Sequence, residues 1–508
     1  MKRKTIIDFL NEQAADAAAG SGHVSFHMPG HKGRSDIFRR AGYGDFLNSI
    51  AECDITEIPG ADALFCPEST LLAVMENYAE LYGVRHTELL VNGSSAGVMA
   101  AIIGSIPVGG KLILGRNSHH SAYSAMRLGG INPVYVRPTF DRKYGLEGAI
   151  SPDALEKACE EHPDAGAVLI TSPNYYGMMS DIGALAEIAH RHDMLLIVDQ
   201  AHGAHLRFFD YDAEAARESG GYVPHPKHSA ESLGADIVIN STHKTLFSFT
   251  GSGILNICTD AADRASICET LRMLQTTSPS YILMGSLDIN ERIMREYHQR
   301  IINAWKEDLN TFYRRASRIT GLTTVRTVAP VPGGEEDTFP MYKYRSGMDL
   351  TKINISMASI GFTGEKLERE LRRKGIIAEM VHGDYVMLMT GAGSRTADYE
   401  KLLAVLREIS DNYSFGTGAA VTGASAESIP DFALEAADVP YDYEELPLYQ
   451  AIGRILYSPI IIYPPGSPAA CPGEILTDDV ISYIASALSR GEKVTGVDEE
   501  GMIKVGVY

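Results

Sequence analysis

The chain has 508 residues, 45% apolar and 22% charged, a composition that excludes disordered and fibrous classes and belongs to an ordinary globular protein. Its length supports a large core divided into about two to four structural units. A formal charge of -20, from 65 acidic and 45 basic residues, excludes nucleic acid and anionic membrane as general partners, since such a surface repels both while still admitting a local basic pocket.

The N-terminal Met1-Lys2-Arg3-Lys4 imitates the start of a signal peptide, but Asp8, Asn11 and Glu12 interrupt what would be its apolar core, so the start is read as a mature N-terminus. Residues 1–45 read as an arm: a short helical pattern followed by a loop rich in Gly and His. Six scattered cysteines, Cys53, Cys66, Cys159, Cys258, Cys268 and Cys471, form no Cys-x-x-Cys pair, which points to reduced thiols in a cytoplasm. No apolar run approaches the roughly 18 to 20 residues of a membrane helix, so a soluble protein is expected.

From Glu88 to about Thr259, short apolar runs alternate with helical stretches. The runs are Leu89 to Val91, Lys111 to Leu114, Pro133 to Val136, Ala167 to Ile170, Leu195 to Val198, Ile237 to Ile239 and Gly253 to Ile257. This is the pattern of an α/β fold, a mostly parallel seven-stranded sheet flanked by helices. The short Gly251-Ser252-Gly253 link suits an antiparallel turn into the last strand. Residues 46–296 are the expected large domain.

A long helix is predicted from Leu283 to Ile319, with Ile289, Ile293, Tyr297, Ile301 and Trp305 as a core-facing stripe. A smaller α/β domain follows, assigned to residues 297–412, with a charged helix at Lys366 to Lys374 and a strand at Tyr385 to Met389. The Gly, Ala, Ser and Thr-rich stretch from Ser414 to Ser428 reads as a linker. Residues 413–508 form the last expected domain, with helices at Tyr443 to Leu456 and Asp478 to Leu488 and a loop at Tyr463-Pro464-Pro465-Gly466.

Chemistry gathers at the strand ends. Asp199 closes the run ending at Val198, and Lys244 closely follows Ile239. In an open α/β sheet the ligand crevice lies at the carboxyl ends of the strands. Pyridoxal phosphate needs this pair, a lysine for its aldehyde and a carboxylate to keep its ring nitrogen protonated. Asn92-Gly93-Ser94-Ser95-Ala96-Gly97 opens a helix, where free amides and the Ser94 and Ser95 hydroxyls suit a phosphate, although Ser and Gly also cap helices that bind nothing. In Arg116-Asn117-Ser118-His119-His120-Ser121 an imidazole can stack on a pyridine ring, or the histidines can simply start a helix. Small residues after Asp199 let a ring approach, and a pyridinium keeps that carboxylate ionised. Ser241 and His243 add phosphate contacts, while Lys244 needs a lowered pKa to act as a free amine. His202 with His205, or His23, His27 and His31, have metal-like spacing, but Pro29-Gly30 breaks any helix through the second set and neither set has acidic or Cys neighbours at ligand spacing; no metal is expected.

Together with His27-Met28-Pro29-Gly30-His31-Lys32-Gly33, Asp54-Ile55-Thr56-Glu57-Ile58-Pro59-Gly60, Gln275-Thr276-Thr277-Ser278-Pro279-Ser280-Tyr281 and Pro472-Gly473-Glu474, these motifs run nearly the whole chain. In them the chain resembles the Orn/Lys/Arg decarboxylases of PLP fold type I, in particular the short bacterial members without a receiver-like wing domain. The resemblance implies that Lys244 anchors the cofactor covalently, Asp199 partners the ring nitrogen and His119 stacks on the ring. Ser94, Ser95, Ser241 and His243 are implied on the phosphate side, Ala96, Ala201 and His202 around the ring, and Lys244 or His243 as the group returning a proton to the α-carbon. Thr277 and Ser278 of one subunit are implied to reach the cofactor of the next, making a homodimer or larger homo-oligomer the active unit. Glu474 is implied beside the distal cation of a basic amino acid, arginine before lysine before ornithine. Gln200, and Ser467 to Cys471, depart from the family pattern. The cofactor site alone also admits an aminotransferase or amino-acid oxidase of the same fold, or a relative that has lost catalysis.

Overall fold

The computed structural model describes residues 5–19, 23–141, 144–210, 228–325, 347–412, 442–463 and 467–507. The expected linker from Ser414 to Ser428, the Pro464-Pro465-Gly466 loop and Met1 to Lys4 lie outside these residues.

After a first helix, α1 (Ile6–Ala19), and a short strand, β1 (Val24–Phe26), seven strands build the central sheet. They are β2 (His86–Leu90), β3 (Lys111–Gly115), β4 (Asn132–Val136), β5 (Ala165–Thr171), β6 (Leu195–Asp199), β7 (Ile237–Asn240) and β8 (Gly253–Ile257). Their spatial order is β2-β8-β7-β6-β5-β3-β4. Parallel pairing runs from β4 to β7, and β8 is antiparallel to both of its neighbours, the pairing expected for it. Each predicted apolar run lies in or beside one of these strands.

The strands read as continuous apolar runs because both faces are covered. Leu112, Leu114, Leu169, Ile197 and Ile239 point into one core with helices α2 (Gly93–Ser105) and α3 (His120–Gly129). Ile113, Val168, Ile170, Leu196 and Val198 point into the other. At Gly97 a Cβ would fall 2.6 Å from Leu90 Cδ1, so any larger residue would have to displace the Leu90 side chain for α2 to lie this close to the sheet.

Helix α4 (Tyr281–Ala316) leaves the sheet domain, capped by the Ser280 hydroxyl, which accepts from the Leu283 N–H. Its predicted stripe is the face it buries: Ile289, Ile293 and Trp305 are in the core, and Tyr297 and Ile301 pack against it. The Trp305 indole donates to Thr390 Oγ1 at 2.9 Å, tying the helix to an antiparallel sheet of β9 (Thr323–Thr324), β10 (Lys352–Ser356), β12 (Met380–His382) and β13 (Tyr385–Met389). Strand β11 (Ile376–Ala378) pairs in parallel with β1. The N-terminal arm thus contributes a strand that the sequence pattern does not reveal, because three residues are too few for a visible alternation.

The expected helix at Tyr443 to Leu456 is a correction. Tyr443–Pro447 forms strand β14, antiparallel to Met502–Gly506, and only a short 3-10 turn follows. Pro447 explains it: proline blocks a helix through this point and biases Leu446 to extended backbone. The helix at Asp478–Ser489 forms as expected, capped by Thr477. Among the described residues, no helix is long and apolar enough to cross a membrane.

Candidate active site

At the carboxyl edge of the central sheet, Asp199 ends β6 and pairs in register with Ile239 of β7. Beyond β7 the chain turns through Thr242–Thr245, which carries Lys244. The Lys244 Nζ lies 2.9 Å from His202 Nε2. Asp199 is buried, and its Oδ1 accepts from the Ala201 N–H at 3.1 Å. The Ser241 hydroxyl donates to Ser94 Oγ at 2.7 Å, joining the turn to the first residues of α2. There Asn92 gives no side-chain cap, and with the Gly93 N–H donating to the Gly251 carbonyl at 2.8 Å the amides that follow it in the first turn suit an anion. His119 caps α3, its Nδ1 accepting from the Ser121 N–H at 3.3 Å. His243 donates through Nδ1 to the Ser252 carbonyl at 2.6 Å.

Burial sets the protonation of the whole group. It draws the Lys244 ammonium from 10.5 to about 8, with Asp199 and Glu379 opposing the fall and Lys352 adding to it. Burial also raises the Asp199 carboxyl, and Lys244 pulls it back. His202 is driven well below 6.5 by burial and then by Lys244. His119 falls to about 3 by burial, then His120 and Lys244, and His243 to about 4, again mainly by burial. The result is one acid and one amine amid neutral imidazoles.

Two participants escaped the sequence reading. Tyr175 follows β5 at the same edge, and its ring lies 4.6 Å from that of His202 at 54°. The Tyr175 hydroxyl donates to Glu379 Oε1 at 3.1 Å. An aromatic residue just past a strand end was a usable signal for Tyr175. Glu379 lies in the hairpin unit between β11 and β12 and carries no local sign of its neighbours.

The remaining expected residues divide. Ala96 and Ala201 are buried and Ser95 is half-buried. Thr277 and Ser278 are exposed, and within this chain no hydrogen bond brings them to Lys244. The Glu474 carboxylate accepts from Arg116 Nη2 through both oxygens at 3.1 Å, and its Oε2 also accepts from the Cys471 N–H at 2.7 Å. His205 faces Asp349 at 3.2 Å instead of serving with His202, and His31 packs edge-on against Phe38 and Phe249.

A phosphorylated aldehyde fits these donors. Uncapped helix amides and three hydroxyls suit its phosphate, a half-buried amine near 8 suits its aldehyde, and a buried acid suits a ring nitrogen. Among the described residues the His202 Nδ1 is buried with no partner, as at a site built to meet a further group.

The profile of the Orn/Lys/Arg decarboxylase major domain matches residues 16–398, and that of the family's C-terminal domain matches residues 427–502. The arginine decarboxylase of Bacillus subtilis is 31% identical over 95% of this chain and 94% of its own. The inducible lysine decarboxylase of Escherichia coli K12 is 22% identical over 94% of this chain and 77% of its own. The solved lysine decarboxylase A of Pseudomonas aeruginosa superimposes with a TM-score of 0.73 over 99% of this chain and 83% of its own, at 17% identity.

Proposed function

The chain belongs to the Orn/Lys/Arg decarboxylase family, and from that premise we propose that it removes carbon dioxide from arginine, ahead of lysine and then ornithine, with pyridoxal phosphate anchored at Lys244. The observation that carries this is the half-buried Lys244 amine, near 8, lying 2.9 Å from a neutral His202 and electrostatically coupled to the buried Asp199. Bound there, the cofactor supplies a sink for the electron pair released when the bond from the α-carbon to the carboxylate breaks.

The chain's own residues do the rest. Asp199 holds a proton on the ring nitrogen, an ion pair that offsets the cost of its own burial. Ser94, Ser95, Ser241 and the amides of α2 would hold the phosphate, and His119 would stack against the ring. Ala96 and Ala201 are small enough to leave room for the ring. Of the two groups able to return a proton to the α-carbon, Lys244 is the better. At about 4, His243 holds almost no proton at neutral pH, and its Nδ1 is engaged by the Ser252 carbonyl; an amine near 8 carries one readily. Thr277 and Ser278 are proposed to complete the site of a second subunit, so that the active unit is at least a homodimer.

The test is carbon dioxide release from carboxyl-labelled arginine, lysine and ornithine by the loaded enzyme. Arginine is expected to give the highest kcat/KM. Release from none of the three, with amino-group transfer instead, would replace this reading by an aminotransferase one.

A further inference from the structure

We infer that Lys352 is a positioning residue of the active site: it holds the main-chain carbonyl of His202 and so sets the imidazole that faces the Lys244 amine. The inference rests on the reading of Lys244 as the anchor of the cofactor.

The His202 side chain has little to fix it. Its Nε2 meets Lys244 at 2.9 Å, its Nδ1 is buried with no partner among the described residues, and the Tyr175 ring packs against it at 4.6 Å. Packing alone lets an imidazole slide, so the place of this one comes from its backbone. There the Lys352 ammonium, at the start of β10, donates to the His202 carbonyl. Three residues on, His205 Nε2 meets the Asp349 carboxylate at 3.2 Å. The segment from Asp349 to Lys352 thus grips the turn that follows Asp199 at two points. The metal-like spacing of His202 and His205 has its explanation here: one imidazole faces the amine and the other faces the grip.

The grip is itself rigid. Lys352 places its three N–H donors on the His202 carbonyl, on Asp349 Oδ2 at 2.6 Å and on Thr351 Oγ1 at 3.2 Å. Asp349 Oδ1 also accepts from the Thr351 N–H at 3.0 Å and the Thr351 hydroxyl at 2.7 Å. Helix α4 holds the segment from behind. Its Tyr313 hydroxyl donates to the Leu350 carbonyl at 3.0 Å, and its Trp305 holds Thr390, whose hydroxyl donates to the Thr351 carbonyl at 2.8 Å. Lys352, Asp349 and His205 have no exposed surface. An ion pair at this depth adds little stability, because desolvation offsets its attraction and apolar side chains of the same size would pack as well. What it supplies is direction: an ammonium held on three sides fixes the carbonyl it meets, and with it the turn carrying His202.

Lys352→Met alone leaves Asp349 buried without its cation and can lose the fold. The test therefore uses the double variant Asp349→Asn with Lys352→Met, which removes both charges together, beside His202→Ala and the triple variant with all three changes. On the cofactor-loaded enzymes, circular dichroism of the cofactor's absorbance band reads how the ring is seated, and carbon dioxide release gives kcat and KM. The double variant and His202→Ala are each expected to weaken the dichroism and to lower kcat by about 10- to 100-fold, with KM changed by less than about threefold. Because both act through one imidazole, the triple variant is expected to lose no more than the worse of the two. Losses that multiply in the triple variant overturn the inference, as does a double variant that changes only the thermal midpoint and keeps its dichroism and kcat. The decarboxylase reading fails separately, by absence of carbon dioxide release from wild type, whereas the dichroism of the three variants judges Lys352 on its own.

Discussion

Lys244 Nζ stands 2.9 Å from His202 Nε2, a cationic group of ordinary pKa 10.5 facing an imidazole that burial keeps neutral. The imidazole gives the amine a hydrogen-bond partner without giving it a counter-charge, so the fall to about 8 is not undone. Because only the neutral amine attacks an aldehyde, the rate at which the apoenzyme takes up pyridoxal phosphate is expected to rise about tenfold per pH unit below 8 and to level off above it. A lysine left at 10.5 would keep climbing past pH 10. Stopped-flow absorbance of cofactor uptake across this range separates the two.

Removing the amine removes the anchor. Lys244→Ala is expected to lose turnover and the absorbance band of the covalently held cofactor. Retention of both would end the assignment of Lys244.

Asp199→Asn keeps the size and the contact with the Ala201 N–H but not the charge. A ring nitrogen buried beside a neutral amide has no counterion for its proton, and leaving one member of a buried pair uncompensated costs about 3 to 5 kcal/mol. A fall in kcat of at least about 100-fold is expected, with the cofactor still bound at Lys244. An unchanged kcat would mean that Asp199 does not face the ring nitrogen.

The pair formed by Arg116 and Glu474 ties the loop before His119 to the C-terminal unit. Its side chains are 11% and 0% exposed, and the guanidinium also donates to the Pro468 carbonyl at 2.9 Å and lies 4.8 Å from the Tyr135 ring. Glu474→Ala leaves that cation buried without its acid, at a cost of about 3 to 5 kcal/mol. The expected result is a lower thermal midpoint and easier proteolysis of the C-terminal segment. A variant as stable as wild type would show that the pair carries little of this attachment.

What the sequence made legible follows from how local each signal is. The seven apolar runs declared themselves because a strand buried on both faces needs no partner to be recognised, and Asp199 and Lys244 stood out because each adjoins such a run. Tyr443 to Leu456 misled because apolar spacing over a few residues fits two periods, and Pro447 with its pairing to Met502–Gly506 decided for a strand. Strand β1 and Glu379 were invisible for a shared reason. Each depends on a meeting of the N-terminal arm with the hairpin unit more than three hundred residues away, as in the pairing of Val24 with Ile376 and the bond from the Met28 N–H to Glu379, and composition near either end says nothing of the other.

That meeting makes Gly30 a sensitive position. A Cβ there would lie 2.4 Å from Thr245 C, 2.5 Å from Leu246 O and 2.6 Å from Leu246 N, all backbone atoms that cannot swing aside as a side chain can. On the other side, Gly391 and Gly393 press against the Gly30 and His31 carbonyls, and the Gly393 N–H donates to the Gly30 carbonyl at 3.0 Å. Gly30→Ala must therefore push the arm away from the turn carrying Lys244, costing about 1 to 3 kcal/mol in overpacking and displacing groups whose alignment matters at the scale of about 1 Å, where about 100-fold in rate is at stake. The expected outcome is a drop in kcat much larger than the change in thermal midpoint suggests. Gly33→Ala is the comparison: with φ of +69° and nothing within 4 Å of its Cβ, it is expected to lose about 1 to 2 kcal/mol from backbone strain alone and to turn over normally. Equal kcat losses in the two variants would mean that the arm acts through overall stability and not through its seat against Lys244.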